Sequence, residues 1–245
     1  MDLTIPRRYC GPPESGNGGW VSGALAAHVL TTAAAPAVSV RLASPPPLDR
    51  PLRVVVGPAA DDTGPAVQLL DGDRLVASAV AVPEPEPTDL RPATARQAWA
   101  AEERYEGLAD HPFPTCVVCG TDREPGDALC LRPGPLDDGT GRYACTWQVP
   151  DDVDATLVWA ALDCPGGWSA GVAGRPMVLG TMTAVVHAVP EPGTTTVVTA
   201  RQTGAQGRRH WSASALHSAD GELVARAEAV WIAVDPAAVR PRGHA

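Results

Sequence analysis

Lysine is missing from this 245-residue chain; all 19 of its cationic residues are arginine. That excludes chemistry requiring an amine from the chain itself: Schiff bases, covalently held pyridoxal phosphate, the lysine of a phosphate-binding loop. Isoleucine occurs only at Ile5 and Ile232, phenylalanine only at Phe113 and asparagine only at Asn17. A strongly GC-rich genome produces such a bias, so part of the lysine deficit is mutational. Aromatic residues are 4% of the chain, which leaves Ala, Val and Leu to fill most of the core. Positive charge is also scarce: net charge is -9 and no more than two arginines are adjacent. A nucleic-acid partner is therefore not expected, nor is adhesion to an anionic membrane surface. No stretch approaches the ~20 consecutive apolar residues of a membrane helix. The opening Met1–Arg8 lacks the basic-then-apolar layout of a signal peptide. Six cysteines are too few for a disulfide scaffold in a chain of this length. The expectation is a cytoplasmic protein with reduced thiols.

What is present is a repeat. Gly16-Asn17-Gly18-Gly19-Trp20-Val21-Ser22-Gly23 returns as Cys164-Pro165-Gly166-Gly167-Trp168-Ser169-Ala170-Gly171, with 148 positions between the tryptophans. Each copy meets an Asp-Gly hairpin signal at a similar distance: Asp71-Gly72 lies 51 residues after Trp20, and Asp220-Gly221 lies 52 after Trp168. Matched spacing of motif and turn points to duplication.

The element order is similar in both copies. The first reads as a strand near Leu3–Tyr9, an Ala-rich helix from about Gly19 to Ala34, and strands near Val38–Ala43, Leu52–Val56, Ala66–Leu70 and Leu75–Val82. The second reads as a strand near Tyr143–Val149 and a shorter helix opening at the glycine motif. Strands near Val178–His187, Thr195–Gln202, His210–Leu216 and Leu223–Val234 follow. Pro83–Pro87 is a stiff acidic linker, and Thr94–Leu108 has an amphipathic helical pattern. This divides the chain into a first unit (1–83), a linker and helix (84–114), a second unit (115–235) and a tail (236–245). The expected class is α+β, with two antiparallel sheets each wrapping a central helix.

With these motifs the chain resembles the tandem (double) hotdog acyl-CoA thioesterase-like family. The likeness rests on the two Gly-Gly-Trp blocks and on the strand blocks Trp211–Leu216 and Ala225–Ile232. Cys116–Gly120, Arg123–Asp127 and Ala161–Gly167 add a likeness to an actinobacterial-type branch. The resemblance implies hydrolysis of an acyl thioester, carried by coenzyme A or a carrier thiol, without a cofactor. It also implies a carboxylate near a central helix, and backbone amides at a helix start that hold the carbonyl oxygen. Carried onto this sequence, Asp163 is the catalytic carboxylate and Asn17 an accessory donor. Gly18, Gly19 and Trp20, with Gly166, Gly167 and Trp168, are the substrate-binding cradles. The family also pairs its Asp with a Gln and a Thr, for which Thr183 and Gln202 are the candidates here. Two fused units already make the pair a single hotdog obtains by dimerising, so monomer and homodimer both remain open.

Each residue has a plainer reading. Asp163 and Asn17 could be helix caps, and both tryptophans packing residues. Zinc needs four ligands, and the only supplements near Cys116 and Cys119 are His111 and Cys130, which do not form a second close pair. Cys116 and Cys119 read as a loop staple or apolar filling, so no metal is expected. A non-catalytic acyl-binding module is the alternative function, and a thioester dehydratase or isomerase is a third. The last normally needs a histidine in register with the helix start, and neither copy has one.

Overall fold

The computed structural model describes residues 1–58 and 65–239. In chain order the elements are β1 (Asp2–Thr4), α1 (Gly18–Ala26), β2 (Ala37–Leu42), β3 (Pro51–Pro58), β4 (Pro65–Asp71) and β5 (Arg74–Val82). There follow α2 (Ala95–Glu102), β6 (Gly134–Pro135), β7 (Tyr143–Gln148), α3 (Ala155–Ser169), β8 (Met177–Val186), β9 (Thr195–Gln206), β10 (Arg209–His217), β11 (Leu223–Ala233) and α4 (Pro236–Val239). The rest of the expected tail lies outside the described residues.

The strands read from alternation stand within a few residues of their expected places; the separate sheets do not. One sheet of 11 strands runs β1-β3-β4-β5-β2-β8-β11-β10-β9-β7-β6. The reason is an edge. β2 and β8 each end one half of the sheet, and they pair antiparallel from Val38↔Ala184 to Arg41↔Thr181. Joining two edges satisfies both rows of backbone groups that would otherwise be open. On either side of this seam the connectivity recurs: β1-β3-β4-β5-β2 in the first half, β7-β9-β10-β11-β8 in the second. Both Asp-Gly signals make hairpins. Asp71 pairs with Arg74 across Gly72 at φ 61°, and Gly221 at φ 84° turns β10 into β11. Positive φ is the reason for glycine at both places.

α1 and α3 pack against each other and against the sheet, over a core that includes Ile5, Val21, Leu25, Leu69, Trp147, Leu162, Met182 and Leu216. α1 stops at Ala26, short of the expected Ala34. β1 covers only Asp2–Thr4, because Pro6 precedes a 3-10 turn at Arg7–Tyr9.

The second glycine motif is a larger correction. Gly166-Gly167-Trp168 does not open a helix; it lies in the last turn of α3, which starts 11 residues earlier at Ala155. Asp154 caps that start by accepting from Leu157 N–H at 2.9 Å. Gly171, at φ 89°, supplies the stop. Its N–H reaches Trp168 O at 3.0 Å and Val172 N–H reaches Gly167 O at 3.2 Å, the paired bonds of a Schellman ending. The two Gly-Gly-Trp blocks thus sit at opposite ends of their helices.

The linker crosses the outer side of the sheet. Glu84 bonds Arg226 at 2.8 Å, and Leu90 packs with Ala213 and Ala215. α2 begins with a capping box between Thr94 and Gln97 and buries Ala98 and Ala101.

Candidate functional site

The first turn of α1 supplies the site's donors. A helix start leaves its leading N–H groups without intrahelical partners, and each of the first three here has a different fate. Trp20 N–H is capped by Asn17 Oδ1 at 2.8 Å. Gly19 N–H reaches out of the helix to Asp163 Oδ2 at 2.9 Å. Gly18 N–H has no partner among the described residues. Asn17 serves both sides, because its Nδ2 also donates to Asp163 Oδ2 at 2.9 Å.

Asp163 comes from the middle of α3, where it meets α1 through a glycine face. A Cβ on Gly19 would stand 2.4 Å from Asp163 Cβ and 2.8 Å from Trp159 O; one on Gly23 would stand 2.8 Å from Trp159 Cβ. Only hydrogen at these positions lets the helices close until the carboxylate touches the amide. Asp163 is 2% exposed, and its Oδ1 has no hydrogen-bond partner among the described residues. Burial pushes its carboxyl up to about 7, against the lowering effect of the bonds from Gly19 and Asn17.

Asn17, Gly18 and Asp163 line a cleft of about 1060 Å³. Leu42, Phe113, Val172, Met177, Leu179 and Trp231 make it largely apolar, and no arginine lines it among the described residues. Arg208, in the turn between β9 and β10, donates to Ala233 O at 2.9 Å.

The structure brings together Asp163, Asn17, Gly18 and Gly19. It does not make a second cradle. Gly166 and Gly167 lie inside α3, where their small size admits β10 and β11: an added Cβ would sit 2.7 Å from Ser212 Oγ and 2.9 Å from the Trp231 ring, respectively. Gly167 and Trp168 still line the cleft, whereas Trp20 stacks on Tyr9 with ring centres 4.4 Å apart. Thr183 bonds Ser39 Oγ across the β2–β8 seam, and Gln202 contacts His210; neither is among the cleft-lining residues.

Sequence reading missed how the cysteines assemble. Cys164 joins Cys116 and Cys119 in one buried cluster, all three Sγ atoms within 4.8 Å of one another. A partner 45 positions beyond the Cys-x-x-Cys pair had no local signal; only its place beside Asp163 hinted at it.

Asn17→Ala removes a helix cap, worth about 1 kcal/mol, and one of the two donors on Asp163. Thermal unfolding is expected to fall by about 2–4 °C for a domain of this size. An unchanged melting temperature would deny Asn17 this capping role.

No family model and no curated protein matches the sequence. Solved structures do match in fold. A candidate thioesterase II from Thermobifida fusca YX superposes with a TM-score of 0.62 at 14% identity, covering 96% of this chain and 92% of its own. The acyl-CoA thioesterase II TesB2 of Mycobacterium marinum gives 0.52 at 13% identity, over 86% and 82%. The dehydratase domain of a mycocerosic acid synthase-like polyketide synthase gives 0.60 at 11% identity, over 95% and 89%. The chain has the fold of thioesterase II-like hotdog proteins across nearly its whole length. No helix among the described residues is long and apolar enough to cross a membrane.

Proposed function

We propose that this protein hydrolyses an acyl thioester, with acyl-CoA as the first substrate class to test, and that Asp163 activates the attacking water. The observation that carries this reading is the division of labour on one carboxylate. Oδ2 is anchored by Gly19 N–H and Asn17 Nδ2, while Oδ1 is buried without a hydrogen-bond partner among the described residues, on a residue that lines an apolar cleft. In this reading Oδ1 takes a proton from a water whose oxygen attacks the thioester carbonyl carbon. The carbonyl oxygen gains negative charge opposite Gly18 N–H, where the positive end of the α1 dipole favours it. Collapse breaks the carbon–sulfur bond, and the departing thiolate receives the proton held by Asp163.

The apolar cleft suits an acyl chain, and its volume is at the upper end of ordinary ligand pockets. The halves on either side of the linker are read as two fused hotdog units that create one site between α1 and α3. That arrangement fits either a self-sufficient chain or a homodimer, working in the cytoplasm on a small-molecule substrate.

The hotdog dehydratase neighbour suggests a second reading, and His111 does line the cleft. Its ring is engaged elsewhere, however: Nδ1 accepts from Phe113 N–H at 2.9 Å and Nε2 lies 3.0 Å from Cys119 O. No nitrogen is left for proton transfer, which favours hydrolysis. The test is release of free coenzyme A from straight and branched acyl-CoA substrates of graded length. Turnover of at least one is expected. Failure on every member, with an acyl ligand retained in native mass spectrometry, would leave the binding-module reading instead.

A further inference from the structure

We infer that Cys116, Cys119 and Cys164 form a three-thiolate binding site for a divalent cation of the zinc class, with its fourth coordination position facing the cleft. The inference does not depend on the hydrolase reading.

Spacing is the first reason. Tetrahedral zinc holds thiolates at about 2.3 Å, which sets neighbouring sulfurs about 3.8 Å apart. Cys116 Sγ and Cys164 Sγ are 3.7 Å apart, and Cys119 Sγ lies within 4.8 Å of both. Three sulfurs can therefore close on one ion with sub-ångström shifts. They come from two distant segments, the 116–119 loop and the third turn of α3, so the fold assembles the cluster.

The loop's shape is the second reason. Val118 N–H donates to Cys116 Sγ at 3.4 Å, and Gly120 N–H bonds Cys116 O at 2.9 Å. A Cβ on Gly120 would be 2.3 Å from Pro114 O and 2.5 Å from Cys116 O, so this tight turn needs glycine. Cys119 O is held by Tyr105 Oη at 2.8 Å and by His111 Nε2 at 3.0 Å. Such outer contacts fix the direction of ligand side chains.

Charge is the third. A trithiolate–zinc unit carries one net negative charge, which burial would penalise without donors. Asn17 Nδ2 lies 3.9 Å from both Cys116 Sγ and Cys164 Sγ, and Val118 N–H adds another donor. His111 cannot complete the set, since both its nitrogens are already bonded. All three cysteines line the cleft, so the fourth ligand is a water or another small molecule entering from it. Three protein ligands with one open position is the form that reactive zinc sites take.

The full chain, produced without an affinity tag in zinc-supplemented medium and purified without chelator, is expected to hold about one zinc per chain by elemental analysis. Titration of the zinc-stripped chain with cobalt(II) should give thiolate-to-cobalt charge-transfer absorption and the intense visible bands of a tetrahedral site. Cys116→Ser and Cys164→Ser should each lose both signals. Cys130→Ser, outside the cluster, should keep them. Absence of zinc together with a featureless cobalt titration of the wild-type chain would overturn the site. So would a Cys116–Cys164 disulfide in protein purified anaerobically. Neither readout requires acyl-CoA turnover, so the outcome is separable from the fate of the hydrolase reading.

Discussion

Asp163→Asn is expected to lower acyl-CoA hydrolysis by about 10²–10⁴-fold, the range a positioned general base supplies, while leaving the fold in place. The asparagine is close to isosteric. Its carbonyl oxygen can accept from Gly19 N–H and Asn17 Nδ2 as Asp163 Oδ2 does. Its amino group takes the place of Oδ1, which already has no partner, so no existing hydrogen bond is lost. What disappears is the ability to accept a proton from water. A steady-state assay beside a thermal melt separates the two effects: a large fall in kcat with a melting temperature within a few degrees of wild type is the expected pair. Asp163→Asn retaining more than about a tenth of wild-type kcat would remove Asp163 from the role of base.

The second large effect is on stability. Gly19→Ala adds a single methyl, but its Cβ would lie 2.4 Å from Asp163 Cβ and 2.8 Å from the Trp159 carbonyl oxygen. Neither obstacle is the far end of a flexible side chain, so α1 and α3 must move apart. Overpacking of this kind costs about 1–3 kcal/mol, which for a domain of this size lowers the melting temperature by about 2–12 °C. Separation would also draw Gly19 N–H away from Asp163, so activity should fall with stability. Ser22→Ala is a contrast on the same helix. Ser22 Oγ is buried without a hydrogen-bond partner among the described residues, and removing an unsatisfied hydroxyl should be neutral or stabilising. Equal melting temperatures for Gly19→Ala and wild type would mean that the close crossing of α1 and α3 is not what glycine at this position serves.

Much of the strand framework was legible because period-2 alternation and Asp-Gly turns are local. The first helix start was legible too: Asn17 before Gly18 is a cap signal, and Asn17 does cap. The second helix was misread because identical letters were given identical roles. Gly166-Gly167-Trp168 copies Gly18-Gly19-Trp20 in sequence. Yet Asp154 earlier and Gly171 later are the capping residues that bound α3. The register between the motifs therefore failed, while the strand order recurs on either side of the β2–β8 seam.

The sequence by itself determined where most of the strands lie, where the two Asp-Gly hairpins turn, and that Asp163 and Asn17 were worth attention, since propensity, alternation and capping act over a few residues. Tertiary structure decided that the sheet is continuous, that the amides facing Asp163 belong to the other helix, and that Cys164 stands beside Cys116 and Cys119. Each of those facts joins segments distant along the chain, and it is the glycine face of α1 against α3, not any local pattern, that brings Gly19 to Asp163.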